Sequence, residues 1–246
     1  MKDTVFYVGG SKGGVGKSMV SITLIQYLID RFAGEKNISI IETDNGNPDV
    51  WRIYNNKLPV GLFSLDEDQK GWQSVADLIE RTKNTLFVIN SAALSNVGME
   101  AHGRDFSTFL DEISDRCDFV TFWVLNRQKD SVLLLEDYLK VMGTGKLFVV
   151  RNNYWGPPEE FGLYKNMRDE SEHIRIRVDG ELDFPSLSDL VADEFYTGGR
   201  TVPETMNHLT MFGRISFKSW YAAACDMFDM TGIFDEVESG VVNGES

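Results

Sequence analysis

The chain has 246 residues, 42% of them hydrophobic and 12% aromatic, which is enough for one large buried core and too apolar for disorder along most of its length. Its 38 Asp and Glu against 24 Lys and Arg give a net charge of -14, which repels nucleic acid and anionic membrane, and no basic run offsets it. The 2 cysteines, Cys117 and Cys225, and the 3 histidines, His102, His173 and His208, are too scattered for a disulfide framework, a zinc site or a cysteine-held metal cluster.

The first residues lead directly into an apolar strand with no signal-peptide pattern, and no run reaches the length of a membrane span, so the expected setting is reducing and cytoplasmic. Val5–Val8 is a short apolar run ending in Gly9-Gly10, the pattern of a buried strand feeding a tight turn. A helix follows from about Lys17 to Phe32, with Val20, Leu24, Leu28 and Phe32 on one face and Gly34 after its end. Ile38–Ile41 is a second strand. Arg52 to Gly71 reads as irregular, then Trp72 to Arg81 as a helix and Leu86–Ile89 as a strand. Phe106 to Ile113 is a further helix, Phe119–Leu125 the most apolar strand, Val132–Met142 a helix, and Leu147–Val150 a strand before a Pro157-Pro158 turn. Ile215 to Phe228 is the last helix, entered after Gly213; its Trp220 packs on the sheet or, as the less favoured alternative, serves a partner.

This alternation predicts a doubly wound α/β fold, a mostly parallel sheet with helices on both faces. The expected organisation is a single domain over 1–234 and a flexible acidic tail over 235–246.

The chemistry concentrates in Lys12-Gly13-Gly14-Val15-Gly16-Lys17-Ser18-Met19. A phosphate loop needs consecutive backbone N–H groups turned inward, glycines that permit the curvature, and a helix N-terminus behind it. A lysine then neutralises the phosphates and a hydroxyl reaches Mg²⁺. Gly16-Lys17-Ser18 supplies the second half of that pattern; the glycine expected five residues before Gly16 is Ser11. A glycine-rich turn that binds nothing is the competing account, and the order strand, loop, lysine, hydroxyl, amphipathic helix argues against it.

The loop also resembles the deviant Walker A motif of the ParA/MinD family of dimerising ATPases, and the resemblance runs from residue 5 to about residue 190. It implies ATP and Mg²⁺ as ligands and an ATP-dependent homodimer. Lys17 and the loop amides would hold phosphates, Ser18 and Asp44 would meet the metal, and Lys12 would act in trans on the partner's nucleotide. Asp44, ending the second strand's Glu42-Thr43-Asp44-Asn45, matches the first switch, where a carboxylate orients the attacking water; a helix-capping role is its plainer alternative. Asn90 departs from the family, which has Asp at this second switch, and an amide there weakens metal binding or hydrolysis. Asn152 and Pro185 fit the family's base-binding positions in order, with Asn153 beside the first, Asn126 as a rival, and an ordinary turn role nearly as well supported.

The run Glu42–Trp51 and Asn90 look like small ParA-like proteins of plasmid mobilisation and stability regions. That resemblance implies a protein partner in segregation or conjugation, with no membrane role; the acidity makes DNA contact indirect and leaves direct DNA binding open. Two other classes compete. Asn90 favours a non-hydrolysing nucleotide-binding scaffold. The fold also suits an ATP-coupled small-molecule synthetase, although Lys12 counts against it.

Overall fold

The structure, a computed structural model, describes residues 1–10, 13–65, 69–92 and 96–235. The elements run β1 (Asp3–Gly10), α1 (Lys17–Phe32), β2 (Asn37–Glu42), α2 (Asp49–Tyr54), β3 (Val60–Leu62), α3 (Gln69–Arg81), β4 (Thr85–Asn90), α4 (Asn96–Glu112), β5 (Cys117–Leu125) and α5 (Lys129–Val141). There follow β6 (Lys146–Asn152), α6 (Gly162–Glu170), α7 (Glu172–Arg177), β7 (Gly180–Phe184), α8 (Asp189–Gly198), α9 (Val202–His208) and α10 (Met211–Asp229).

The strands form one sheet of 7 in the order β3-β2-β4-β1-β5-β6-β7. Every described pairing is parallel. β1 is buried along its whole length, because a parallel strand covered on both faces has no solvent side for polar residues. Its alternation still divides the core. Phe6 and Val8 face α1, α2, α8, α9 and α10, joining Leu24, Tyr54, Phe195, Phe217 and Phe228. Val5 and Tyr7 face α3 to α7, joining Val75, Phe106, Leu135, Tyr138 and Ile174. The doubly wound architecture expected from the alternation is the one observed. Because β4 lies between β2 and β1, the chain reverses direction across the sheet around β1, and the carboxyl ends of β1, β2 and β4 open into one crevice.

Differences from the sequence reading have local causes. The stretch Arg52 to Gly71, expected to be irregular, holds the end of α2, the start of α3 and, between them, β3, too short to show a period. α4 begins at Asn96, a decade before the expected start. Its stripe runs Met99, Gly103, Phe106, Leu110, and glycine at the second position hides the periodicity. A Cβ on Gly103 would meet Met99 Sδ at 2.6 Å, so the missing methyl is what lets Met99 lie along the helix. α10 starts at Met211, with Thr210 as its cap accepting from the Gly213 N–H. Trp220 is buried and donates to the Pro185 carbonyl at 2.8 Å, the packing role rather than an exposed one.

The last described residues close the α1 face. Phe234 is fully buried, with ring centroids 5.7 Å from Phe6, 4.9 Å from Tyr27 and 6.4 Å from Phe32. Arg31 pairs with Asp229 at 3.0 Å and Asp235 at 3.5 Å. Residues 236–246 of the expected tail lie outside the described residues.

Candidate nucleotide site

β1 ends at Gly10, where a Cβ would stand 2.7 Å from the Val124 carbonyl, so β1 and β5 approach closely as the chain turns into the loop. Gly14 (φ 85°) and Gly16 (φ 105°) adopt left-handed backbone that bends the chain around. Val15 is buried beneath the loop, Gly13 and Gly14 are exposed, and Ser18 is half-buried. Gly16 stands at the N-cap of α1, where no side chain caps the helix and the first turn holds no acidic residue. The amides of that turn and the positive end of the helix dipole are left for an anion. Lys12, the expected trans-acting lysine, lies outside the described residues.

Lys17 is buried, and burial pushes its ammonium down to about 8, against the pull of Asp44 and Glu42, which favour the charge. Asp44 is half-buried just beyond β2, and its Oδ1 accepts from the Asn47 N–H at 2.9 Å. It therefore shapes its loop as well as facing the lysine. Met19 is buried on α1 in the first turn beyond the loop.

Asn90 ends β4 and is buried: its Nδ2 donates to Glu42 Oε1 at 2.9 Å and its Oδ1 accepts from Ser21 Oγ at 2.8 Å. Glu42 is fully buried and also accepts from the Asp44 N–H at 3.0 Å and the Val50 N–H at 3.2 Å. Burial pushes its carboxyl up, and those donors, with the Trp51 backbone, pull it back. Thr43 stitches the same strand ends together, donating to the Asn90 carbonyl and accepting from the Ala92 N–H at 2.8 Å.

At the far end of the loop, Asn152 closes β6. Its Nδ2 donates to the Val15 carbonyl at 2.8 Å and its Oδ1 accepts from the Tyr154 N–H at 3.1 Å, so both polar atoms hold backbone. The turn after it, Asn153–Trp155, carries two buried polar atoms without a hydrogen-bond partner, Asn153 Oδ1 and Trp155 Nε1. Asn126 is turned into its own loop, accepting from the Gln128 N–H. Pro185 follows β7 and offers its carbonyl to Trp220.

A cleft of about 190 Å³ opens beside Ser18 and Met19, walled by Asp49, Arg52, Phe195 and Tyr196. A wider one of about 680 Å³, lined by Ile29, Phe32, Leu58 and Thr85 among others, lies at the opposite end of the strands, away from the loop. Its size does not make it the reactive site, since the helix N-terminus, lysine and carboxylates are all at the other end of the strands.

A chain from Acidithiobacillus ferrooxidans, Protein MobD, is 34% identical over 220 residues, spanning 89% of this chain and 94% of that one. The chain belongs to the MobD family. A family model described as RNA helicase matches residues 6–104, the part from β1 into α4. Among solved structures, a ParA family ATPase from Chlorobium tepidum TLS aligns with a TM-score of 0.50 at 10% identity, over 90% of this chain and 98% of that chain. A plasmid partition protein from Borrelia burgdorferi reaches a TM-score of 0.48 at 13% identity, over 94% of this chain and 99% of that chain. The first of these structural likenesses establishes a shared P-loop NTPase fold and leaves substrate unassigned.

In this MobD-family chain the structure brings the loop residues 13–19, Asp44 and Asn90 to one crevice, with Asn152 underneath the loop. Sequence reading passed over Glu42 and Ser21. The available signal was a carboxylate ending the otherwise apolar run Ile38–Ile41, at the strand edge where ligands collect.

Proposed function

We propose that the chain is an ATP-dependent molecular switch of the ParA/MinD type, in which two subunits close around nucleotide and hydrolysis is slow. Its nucleotide-dependent surface is read by a protein partner in plasmid or DNA segregation, conjugative mobilisation or cargo positioning, in the cytoplasm. The observation that carries this reading is the uncapped N-terminus of α1 wrapped by Gly13–Ser18, with buried Lys17 set between that loop and two carboxylates. The loop amides and Lys17 hold phosphate oxygens, and arrival of a triphosphate gives the lysine a stronger partner than Asp44 and Glu42.

Ser18 and Asp44 are hard oxygen donors and fit Mg²⁺, which when bound offsets phosphate charge and polarises the terminal phosphoryl group. Asp44 orients the attacking water. Lys12 offsets charge as a second nucleotide-bearing subunit approaches. The base lies toward Asn152, the Asn153–Trp155 turn and Pro185, where the buried Asn153 Oδ1 lacks a partner. Support for a mobilisation or segregation role comes from the resemblance carried by Glu42–Trp51 and Asn90. Among the described residues no helix is long and apolar enough to cross a membrane.

Light scattering with Mg-ATP, Mg-ADP and no nucleotide, combined with phosphate release, tests the proposal. An ATP-only dimer that is lost in Lys12→Ala, with slow phosphate release, supports it. A nucleotide-bound monomer in every condition overturns it in favour of a small-molecule synthetase. A stable ATP dimer that releases no phosphate supports the second reading, a non-hydrolysing scaffold. The specific observation behind that reading is that Asn90 presents an amide, already engaged on both sides, where a switch carboxylate is expected.

A further inference from the structure

We infer that Glu42 is a positioning residue for Asp44 and that Asn90 is the amide its carboxylate requires. The inference rests on the proposed phosphate site at residues 13–18 only for its kinetic consequence; its geometry is that of Glu42, Asn90, Ser21 and Asp44 themselves.

Glu42 and Asn90 are registered partners across β2 and β4, so an exchange between them shifts a charge by a single strand spacing at the same depth in the crevice. Donor and acceptor counting then fixes which residue carries it. Asn90 must donate to Glu42 and accept from Ser21, and an amide does both. An aspartate at 90 cannot donate, and it would set two buried carboxylates against each other at the 2.9 Å separation now spanned by a hydrogen bond. Glu42 must in turn accept from Asn90, Asp44 and Val50, which takes both carboxylate oxygens. A glutamine there has one acceptor oxygen and would point its amino group at a backbone donor, the Val50 N–H.

The carboxylate thereby joins three elements. It holds the Asp44 N–H, which sets where the Asp44 side chain begins. It receives the first-turn amide of α2, whose N-cap, Pro48, has no capping side chain. Through Asn90 it reaches Ser21, three residues past Ser18 on the same side of α1. A displacement of the phosphate-loop helix is passed to Asp44 through three side chains, those of Ser21, Asn90 and Glu42. Consequently, Asn90→Asp does not restore a lost activity; it breaks the pair.

Glu42→Gln, Asn90→Asp and the double exchange Glu42→Gln/Asn90→Asp decide the matter, each read three ways: thermal midpoint without nucleotide, affinity for a fluorescent ATP analogue, and phosphate release. Both single variants should lose thermal stability and at least tenfold in phosphate release while nucleotide affinity moves less than threefold. The double exchange, which restores one carboxylate facing one amide, should recover at least half of the thermal loss but not the phosphate release, because the glutamine amino group facing position 90 then takes the Oε1 position that holds the Asp44 N–H. Adding Glu42→Gln to Asp44→Asn should cost no further release, because a residue that acts by placing Asp44 has nothing left to place. Thermal losses that simply add in the double exchange, a full recovery of phosphate release there, or an Asn90→Asp protein as stable as the parent and faster, overturn the inference. If the parent releases no phosphate, the thermal cycle alone decides: recovery in the double exchange retains the pairing while the hydrolytic reading falls, and additivity removes the pairing.

Discussion

Replacing Asn152 by alanine separates two roles that one residue could serve, holding the loop or reading the base. Its Nδ2 bond to the Val15 carbonyl is 2.8 Å long, and Val15 is 1% exposed. Removing the donor leaves that carbonyl buried and unsatisfied, which costs about 1–3 kcal/mol. The second bond, to the Tyr154 N–H, adds less, because Tyr154 is exposed and water replaces the lost acceptor. At 1.4 kcal/mol per tenfold, a penalty of about 1–3 kcal/mol borne by the loop weakens phosphate binding by about 5- to 150-fold. Since both polar atoms face backbone, ATP, ADP and GTP should all weaken by a similar factor, and the thermal midpoint of the free protein should fall. Competition of each nucleotide against a fluorescent ATP analogue at fixed Mg²⁺ measures the factors. A collapse of the ATP-to-GTP ratio with the thermal midpoint unmoved would refute the loop-holding role and return Asn152 to the base.

Gly16→Ala forces a side chain into φ 105° backbone and sets its Cβ 2.3 Å from Asn152 Nδ2, so nucleotide affinity should drop at least about tenfold while circular dichroism stays native. Glu204 caps α9 in a reciprocal box with Thr201, and its carboxyl is held down to about 2 by the Lys57 ammonium first and the Thr201 backbone next. A carboxyl lowered on folding contributes stability that is present above its ordinary 4.5 and lost as the pH falls from there toward 2. Glu204→Gln should therefore flatten the decline in unfolding free energy across that window, and an unchanged slope in denaturant titrations counts against the cap. Phe228 is fully buried between Tyr27 and Phe122, so Phe228→Ala should cost about 3–5 kcal/mol in urea unfolding. Phe212 is 82% exposed, and Phe212→Ala should stay within about 0.5 kcal/mol.

Five strands were readable because each is a compact apolar run between turn signals, the mark of a strand covered on both faces. β3 and β7 were not. β3 is a three-residue edge strand, and β7, Gly180–Phe184, alternates Glu181 and Asp183 with apolar residues. Those two acids are matched by Arg151 on β6, a pairing that exists only once the strands are side by side. The phosphate loop was legible because its requirements are local: glycines, a lysine, a hydroxyl and a following helix within a few residues. Glu42 was passed over and the contacts of Asn152 were not foreseen, for the opposite reason. What each does depends on partners 48 and 137 residues distant, which spacing along the chain cannot encode.

Phe234 sits against Phe6 at the heart of the sheet, so one face of the central strand is finished by an aromatic ring from the other end of the sequence. During synthesis β2 and β3 can pair first, β1 finds its partners only in β4 and β5, and β6 and β7 then add in chain order. The α1 face stays unsealed until residue 234 has left the ribosome, and the nascent chain meanwhile shows Phe6, Tyr27 and Phe32 to any chaperone nearby. Seating of the α1 face is therefore a late step in folding, and a chain cut before Phe234 would keep a paired sheet that lacks its final aromatic plug.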